Sequence, residues 1–119
     1  MQYMLLIYED ERLYGPDRES PLARERRAQH IAYSRELGAT RLAGSGLKDS
    51  SAATTIRTAG GKQTIHDGPF AESREQLAGY YLIDVPDLDA AIAVAKKVPL
   101  SQNGAVEIRP QLVPLLVAE

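Results

Sequence analysis

QYMLLIY (residues 2–8) and GYYLIDV (residues 79–85) are rich in aromatic and aliphatic residues and apolar on both of their alternating faces. Such composition favours strands, and each stretch has the length of an ordinary one. A sheet with helices on one side and water on the other alternates apolar with polar residues along each strand. These two stretches do not, so both of their faces must be covered. Only two helical patterns occur elsewhere in the chain. The economical second cover is another copy of the same sheet, packed face to face in a homodimer. Cover by loops and by the apolar tail LVPLLVA (112–118) is the alternative.

The elements around these strands have local signatures. ERLYGPDRESP (11–21) reads as a loop, with Ser20 as N-cap and Pro21 as first residue of a helix that Gly38 stops. Ala28, Ile31, Ala32 and Leu37 form its expected inner stripe. His30, mid-helix among charged neighbours, reads as a solvated or half-buried side chain. TRLAGSGL (40–47) is a short second strand, and ATTIRTAGGKQTIH (53–66) a hairpin turning at Gly60-Gly61. A second helix starts at the Asp87 cap, buries Leu88, Ala91, Ile92, Ala95 and Val98, and stops before Pro99. GAVEIRP (104–110) is the last strand. Two strand–helix units, opening at MLLIYEDE and YYLIDVPDLD, echo one another. The expected architecture is α+β: one domain over residues 1–119, a ferredoxin-like βαββαβ sheet with an added hairpin and both helices on one face.

Composition excludes several function classes. With 14 Lys and Arg against 16 Asp and Glu, the net charge of −2 argues against a nucleic-acid partner or a polybasic membrane surface. There is no cysteine, which removes disulfides and thiolate chemistry. MQYMLLIYEDE lacks a basic segment before its apolar run and reads as a strand rather than a signal peptide. No apolar run approaches the roughly 20 residues of a membrane span, and the expected location is cytoplasmic. AGGK is not a phosphate-binding loop and AGSGL is not a nucleophile elbow, so no cofactor is expected. The two histidines lack metal-ligand spacing, so no metal is expected either.

HDGPFAESREQLAGYY (66–81) is the least ordinary stretch. Turn chemistry explains Asp67, Gly68 and Pro69 without any ligand. Phe70 is expected to anchor the loop by burying its ring, and Ser73 with Gln76 to form a capping box over one helical turn. The side chains left over are Asp67, Glu72 and Glu75, with His66 adjacent and Arg57 on the preceding strand. Crowded carboxylates hold a proton more tightly, as general acid–base work near neutral pH requires. His66 and Asp67 point to opposite faces if the chain is extended there.

DGPFAESREQLAGYYLIDVPDLDAAIAVAKKVP with GAVEIRP and the opening MQYMLLIYEDE resembles, over nearly the whole chain, the YCII-related proteins of the DGPF type. The resemblance implies a bacterial protein and a dimeric α+β barrel of ferredoxin-like protomers. It also implies proximity to extracytoplasmic-function sigma factors, and so a regulatory or accessory role. In the YciI-like branch a His–Asp pair in a pocket is the suggested active site. His30 lies on the corresponding first helix, but no Asp is its evident partner, and the pair is not carried over. Asp67, Gly68, Pro69, Phe70, Glu72, Glu75, Gln76 and Arg109 do match.

Three functional expectations follow. The first is a pocket between sheet and helices that binds a small polar molecule, with Asp67, His66 and Glu72 as acid–base groups and Arg57, Phe70, Glu75 and Arg109 as ligand contacts. The second is a non-catalytic regulatory or accessory module that uses the corner as an interaction surface. The third is a corner that only stabilises a dimer.

Overall fold

The structure is a computed structural model and describes residues 1–15 and 18–112. The chain runs β1 (Gln2–Glu9), α1 (Pro21–Leu37), β2 (Arg41–Gly46), β3 (Thr54–Ala59), β4 (Lys62–Asp67), β5 (Gln76–Asp84), α2 (Leu88–Ala95) and β6 (Ala105–Pro110). Four strands form one antiparallel sheet in the order β2-β5-β1-β6, and β3 and β4 pair separately. Without the hairpin this is the ferredoxin-like α+β order. The tail named as the alternative cover lies outside the described residues from position 113 onward.

Local chemistry sets the element ends as expected. The Ser20 hydroxyl accepts from the Ala23 amide at 3.1 Å, and the Asp87 carboxylate from the Ala90 amide at 2.9 Å. Gly38 ends α1 at φ 53°, and Gly60 and Gly61 turn the hairpin at φ 57° and 78°, conformations that side chains disfavour.

The core lies between the sheet and the helices. β1 contributes Tyr3, Leu5 and Ile7, β5 contributes Tyr81 and Ile83, and Tyr33, Ala91, Ala95 and Val98 close over them. Leu5 pairs with Tyr81 and Tyr3 with Ile83 across the β1–β5 ladder, so one face of the two central strands is buried end to end. The opposite, helix-free face carries Met4, Leu6, Tyr8, Tyr80 and Leu82, all half-buried within the single chain.

α1 does not follow the expected stripe. Ala28, Ile31 and Ala32 face solvent, with Ile31 50% exposed, and only Leu37 packs on the core. The sheet-facing line is Ala23, Arg26, His30, Tyr33 and Leu37. The physical reason is the space beneath: the first half of α1 stands over a cavity instead of apolar side chains, so its inner face can be polar. α2 fits better, with Ala91 and Ala95 buried, although it ends at Ala95, short of Pro99, so that Val98 is buried in the turn beyond it, and Leu88 is half exposed.

Close approach of β2 to β5 gives the first prediction. A Cβ on Gly44 would lie 2.6 Å from Cδ1 of Tyr81. That ring cannot retreat, because His30 stacks on it and Tyr33 meets it edge-on. Gly44→Ala is therefore expected to cost about 2 kcal/mol in urea unfolding. Gly46→Ala, where a Cβ meets nothing within 4 Å, is expected to stay within about 0.5 kcal/mol of the parent.

Candidate functional site

A cavity of about 470 Å³ separates α1 from the sheet. Its floor is Ile7, Gly44, Gly46, Gly79 and Tyr81, and the absence of side chains on the three glycines makes the room. Arg26, Arg27, His30 and Ser34 descend from α1, while Glu9, Tyr14 and Arg18 line one end.

Glu9, the last residue of β1, is 3% exposed and is the buried charged side chain of the described residues. A buried carboxylate requires hydrogen-bond donors. Tyr14 supplies its hydroxyl at 2.7 Å and Ser101 its amide at 2.8 Å, both to Oε2. The Arg26 Nε then donates to the Tyr14 hydroxyl at 3.1 Å. Burial pushes the Tyr14 phenol above its usual range, the Glu9 contact adds to this, and Arg26 opposes it. Arg18 lies 5.0 Å from the centre of the Tyr14 ring and pairs with Asp49 at 2.6 Å. It holds φ 52°, a conformation a non-glycine residue keeps only when its surroundings fix it.

His30 and Tyr81 form the second polar pair. His30 Nδ1 lies 2.7 Å from the Tyr81 hydroxyl, with the rings stacked 5.9 Å apart. Burial drives the His30 pKa below 6.5, against the pull of Glu9 and the Pro99 carbonyl. Burial raises the Tyr81 phenol, opposed by the Ser34 hydroxyl and Arg41. A neutral imidazole thus meets a protonated phenol, and the Tyr81 hydroxyl donates to Nδ1. Tyr33, edge-on to Tyr81, gives its hydroxyl to the Val94 carbonyl at 2.7 Å and is pushed to about 12 by burial. Arg18, Arg26, Arg27 and Arg35 line the space; Arg18 is paired with Asp49, Arg26 also donates to Gln29 at 3.0 Å, and Arg27 donates to the Arg18 carbonyl at 3.0 Å.

The residues singled out in the sequence lie elsewhere. Arg57, His66 and Asp67 sit on the exposed hairpin, with His66 and Asp67 on opposite faces of β4. Arg57 and Phe70 come together, the guanidinium 4.8 Å over the ring and donating to the Phe70 carbonyl at 3.0 Å. Phe70 is nevertheless 72% exposed, so it does not anchor the loop by burial. Phe70 and Glu75 line a second groove of about 580 Å³ with Tyr8, Thr55 and Leu77. Glu72 borders a smaller recess with Asp10, Arg12 and Arg74. Arg109 stands on the helix-free face and bonds Glu107 at 2.5 Å. None of these residues lines the α1 cavity.

The expected helical turn at 73–76 does not form. Gln76 already belongs to β5, and its amide donates to the Ala71 and Ser73 carbonyls at 3.1 and 3.0 Å. Pairing with β1 outcompetes a single unsupported helical turn. No three His, Asp or Glu side chains among the described residues converge as metal ligands would, and no described helix is long and apolar enough to cross a membrane.

The buried imidazole generates a pH prediction. A folded pKa below the unfolded value of about 6.5 means that the unfolded chain takes up the proton first as pH falls. Stability is therefore present above pH 6.5 and declines below it. In His30→Gln this contribution to the decline is expected to vanish, flattening stability against pH between 7 and 5 in urea titrations. The His30 ring proton signal, one of two histidines and assigned by its loss in the variant, is expected to titrate below 6.5. A midpoint at or above that value contradicts the assignment.

The model of the YCII-related domain matches residues 1–112 of this chain. An uncharacterised protein of Rhizobium meliloti (strain 1021) is 33% identical over 117 residues, covering 92% of this chain and 91% of that protein. Together with the sheet order and the paired helices, these matches show that the chain belongs to the YCII-related domain family.

Proposed function

We propose that the chain works as a homodimer, sheets face to face, and that each protomer binds a small anionic molecule in the α1 cavity. The observation that carries this reading is the lining. Arg26, Arg27 and Arg35 line a space whose one buried carboxylate, Glu9, is already bonded by Tyr14 and Ser101, while Arg18 at its end is paired with Asp49. Guanidinium groups lining a cleft favour carboxylate or phosphate oxygens. The His30–Tyr81 pair supports proton transfer on the bound molecule. In that step Nδ1 of His30 takes the phenol proton as the Tyr81 oxygen accepts one from the bound molecule, and the reverse movement returns it. A binding module without turnover uses the same contacts and differs only in leaving that pair idle.

The dimer is supported by the helix-free face. Met4, Leu6, Tyr8, Tyr80 and Leu82 make a continuous apolar surface that a lone chain would hold against water.

Thermal melting with inorganic phosphate and a panel of small mono- and dicarboxylates tests the site. At least one anion is expected to raise the melting temperature by several degrees, as saturating ligands do. Its affinity is expected to fall at least about tenfold in Arg26→Ala, and also in Gly46→Val, whose added methyls enter the open floor. An equal rise in parent and both variants, or no rise with any anion, removes the reading. Separately, the parent is expected to sediment as a dimer at low micromolar concentration and Leu6→Asp as a monomer.

A further inference from the structure

β1 sends alternate residues towards the helices, and the first three of them are the core side chains Tyr3, Leu5 and Ile7. The next inward residue is Glu9, as deeply buried as they are. A carboxylate placed where an apolar residue belongs loses most of its hydration, and buried charges are ordinarily paired with a cation. Glu9 is not. Both of its hydrogen bonds come from neutral donors and both end on one oxygen, since the Tyr14 hydroxyl and the Ser101 amide reach Oε2. Among the described residues no donor reaches Oε1, and no ion pair includes Glu9. The side-chain atoms sealed away without a partner are Arg41 Nε and Ser101 Oγ. Oε1 is not one of them, and the little surface that Glu9 keeps opens on the α1 cavity it lines.

A cation stands one hydroxyl away. Arg26 Nε donates to the Tyr14 oxygen at 3.1 Å and that hydroxyl donates to Glu9 at 2.7 Å, which holds guanidinium and carboxylate within about 6 Å of each other. Arg26 uses Nη1 on Gln29, and among the described residues no acceptor takes Nη2. An open anionic acceptor and an open cationic donor thus border one space at short separation. A single small molecule answers both only if it carries a cation and an acid close together. In an α-amino acid the ammonium nitrogen and the carboxylate carbon are about 2.5 Å apart, across one carbon. With charge-assisted bonds of about 2.8 Å at each end, that spacing suits the gap, and a chain of several carbons between the two groups does not.

We propose that the ligand of the α1 cavity is an α-amino acid, its ammonium group held by Glu9 Oε1 and its α-carboxylate by Arg26. The inference rests on the anion site proposed above and adds the need for a cation beside the acid. Its consequence is an order of affinities that the arginines alone would invert. Guanidinium groups by themselves favour succinate over aspartate, which has the same two carboxylates but one negative charge fewer. Glu9 facing the same space attracts the ammonium group and repels the simple dianion.

Isothermal titration calorimetry on the full chain near neutral pH tests this with two matched pairs, aspartate with succinate and alanine with propionate. In at least one pair the amino acid is expected to bind at least about tenfold more tightly than the plain acid. In Glu9→Gln the side-chain oxygen still accepts from Tyr14 and Ser101, but an amide NH2 replaces Oε1, and the preference is expected to vanish or reverse. An unchanged preference in that variant takes the ammonium contact away from Glu9 and overturns the inference. If the variant fails to fold, the order in the parent decides: a tighter amino acid sustains the proposal, and plain acids that bind equally or better in both pairs overturn it. That second result leaves the anion site standing. Absence of binding by all four compounds and by inorganic phosphate removes both.

Discussion

β1 and β5 pair at the centre of the sheet, and nearly every other feature answers to the need to bury them. Their inward side chains, Tyr3, Leu5, Ile7, Tyr81 and Ile83, make the helix-side core. Burial of each such side chain contributes about 1.5–3 kcal/mol, so this one ladder carries much of the drive to fold. The ladder also fixes which residues can meet across the chain. Because Leu5 is held opposite Tyr81 and Ile7 opposite Gly79, Glu9, opposite Gln76, follows them on the same face at the end of the ladder and lines one cavity with Gly79 and Tyr81. Polar groups more than 60 residues apart in sequence are thus delivered to one end of the sheet.

The cavity exists because two requirements of that ladder collide. α1 must pack on β1 and β5, yet Tyr81 fills the gap with a ring that needs Gly44 opposite it on β2. Gly79 is likewise forced, since a Cβ there would lie 2.8 Å from the Ser45 carbonyl oxygen. Close strand packing therefore strips side chains from the floor at Gly44 and Gly79, Gly46 adds open floor without such crowding, and the first half of α1 is left above empty space. Long polar side chains can hang into that space at no cost to the core. Burial then holds His30 neutral and Tyr81 protonated. The same constraint that makes the fold also sets the protonation states of the site.

Much of this architecture is legible in the sequence where the signal is local. Ser20, Gly38, Gly60-Gly61 and Asp87 each act on backbone groups within a few residues, and each does in the structure what its type implies. The capping box at Ser73 fails because Gln76 has a stronger alternative in the β1 ladder, which no local pattern registers. The inner face of α1 was illegible for a different reason. Apolar periodicity finds helix faces that meet a core, and Arg26 and His30 face a cavity. Glu9, Tyr14 and Tyr81 gave only faint signals: a carboxylate closing an apolar strand, and tyrosines indistinguishable from core aromatics. Their meeting depends on strand register.

The residues of the DGPF corner and those of the cavity differ in what their polar atoms are bonded to. In the corner, Thr55, Gly68, Arg57, Phe70, Ser73 and Gln76 are joined to one another through backbone carbonyls, and this cross-bracing holds the hairpin out from the body. Exposed and internally tied, it presents apolar side chains outward while its charges face its own root. In the cavity the order is reversed, with apolar walls behind and the half-buried Arg26 and the His30–Tyr81 pair lining a cleft. Electrostatic contacts strengthen as water is withdrawn, so the same arginine is a stronger ligand for an anion at position 26 than at position 57. A dense, recognisable motif and a reactive site thus have opposite structural demands. The first must satisfy its own polar groups to stay rigid, and the second must keep some of them open towards a ligand. In this chain the corner braces the separate β3–β4 ribbon, and the polar-lined cavity lies between α1 and the four-stranded sheet.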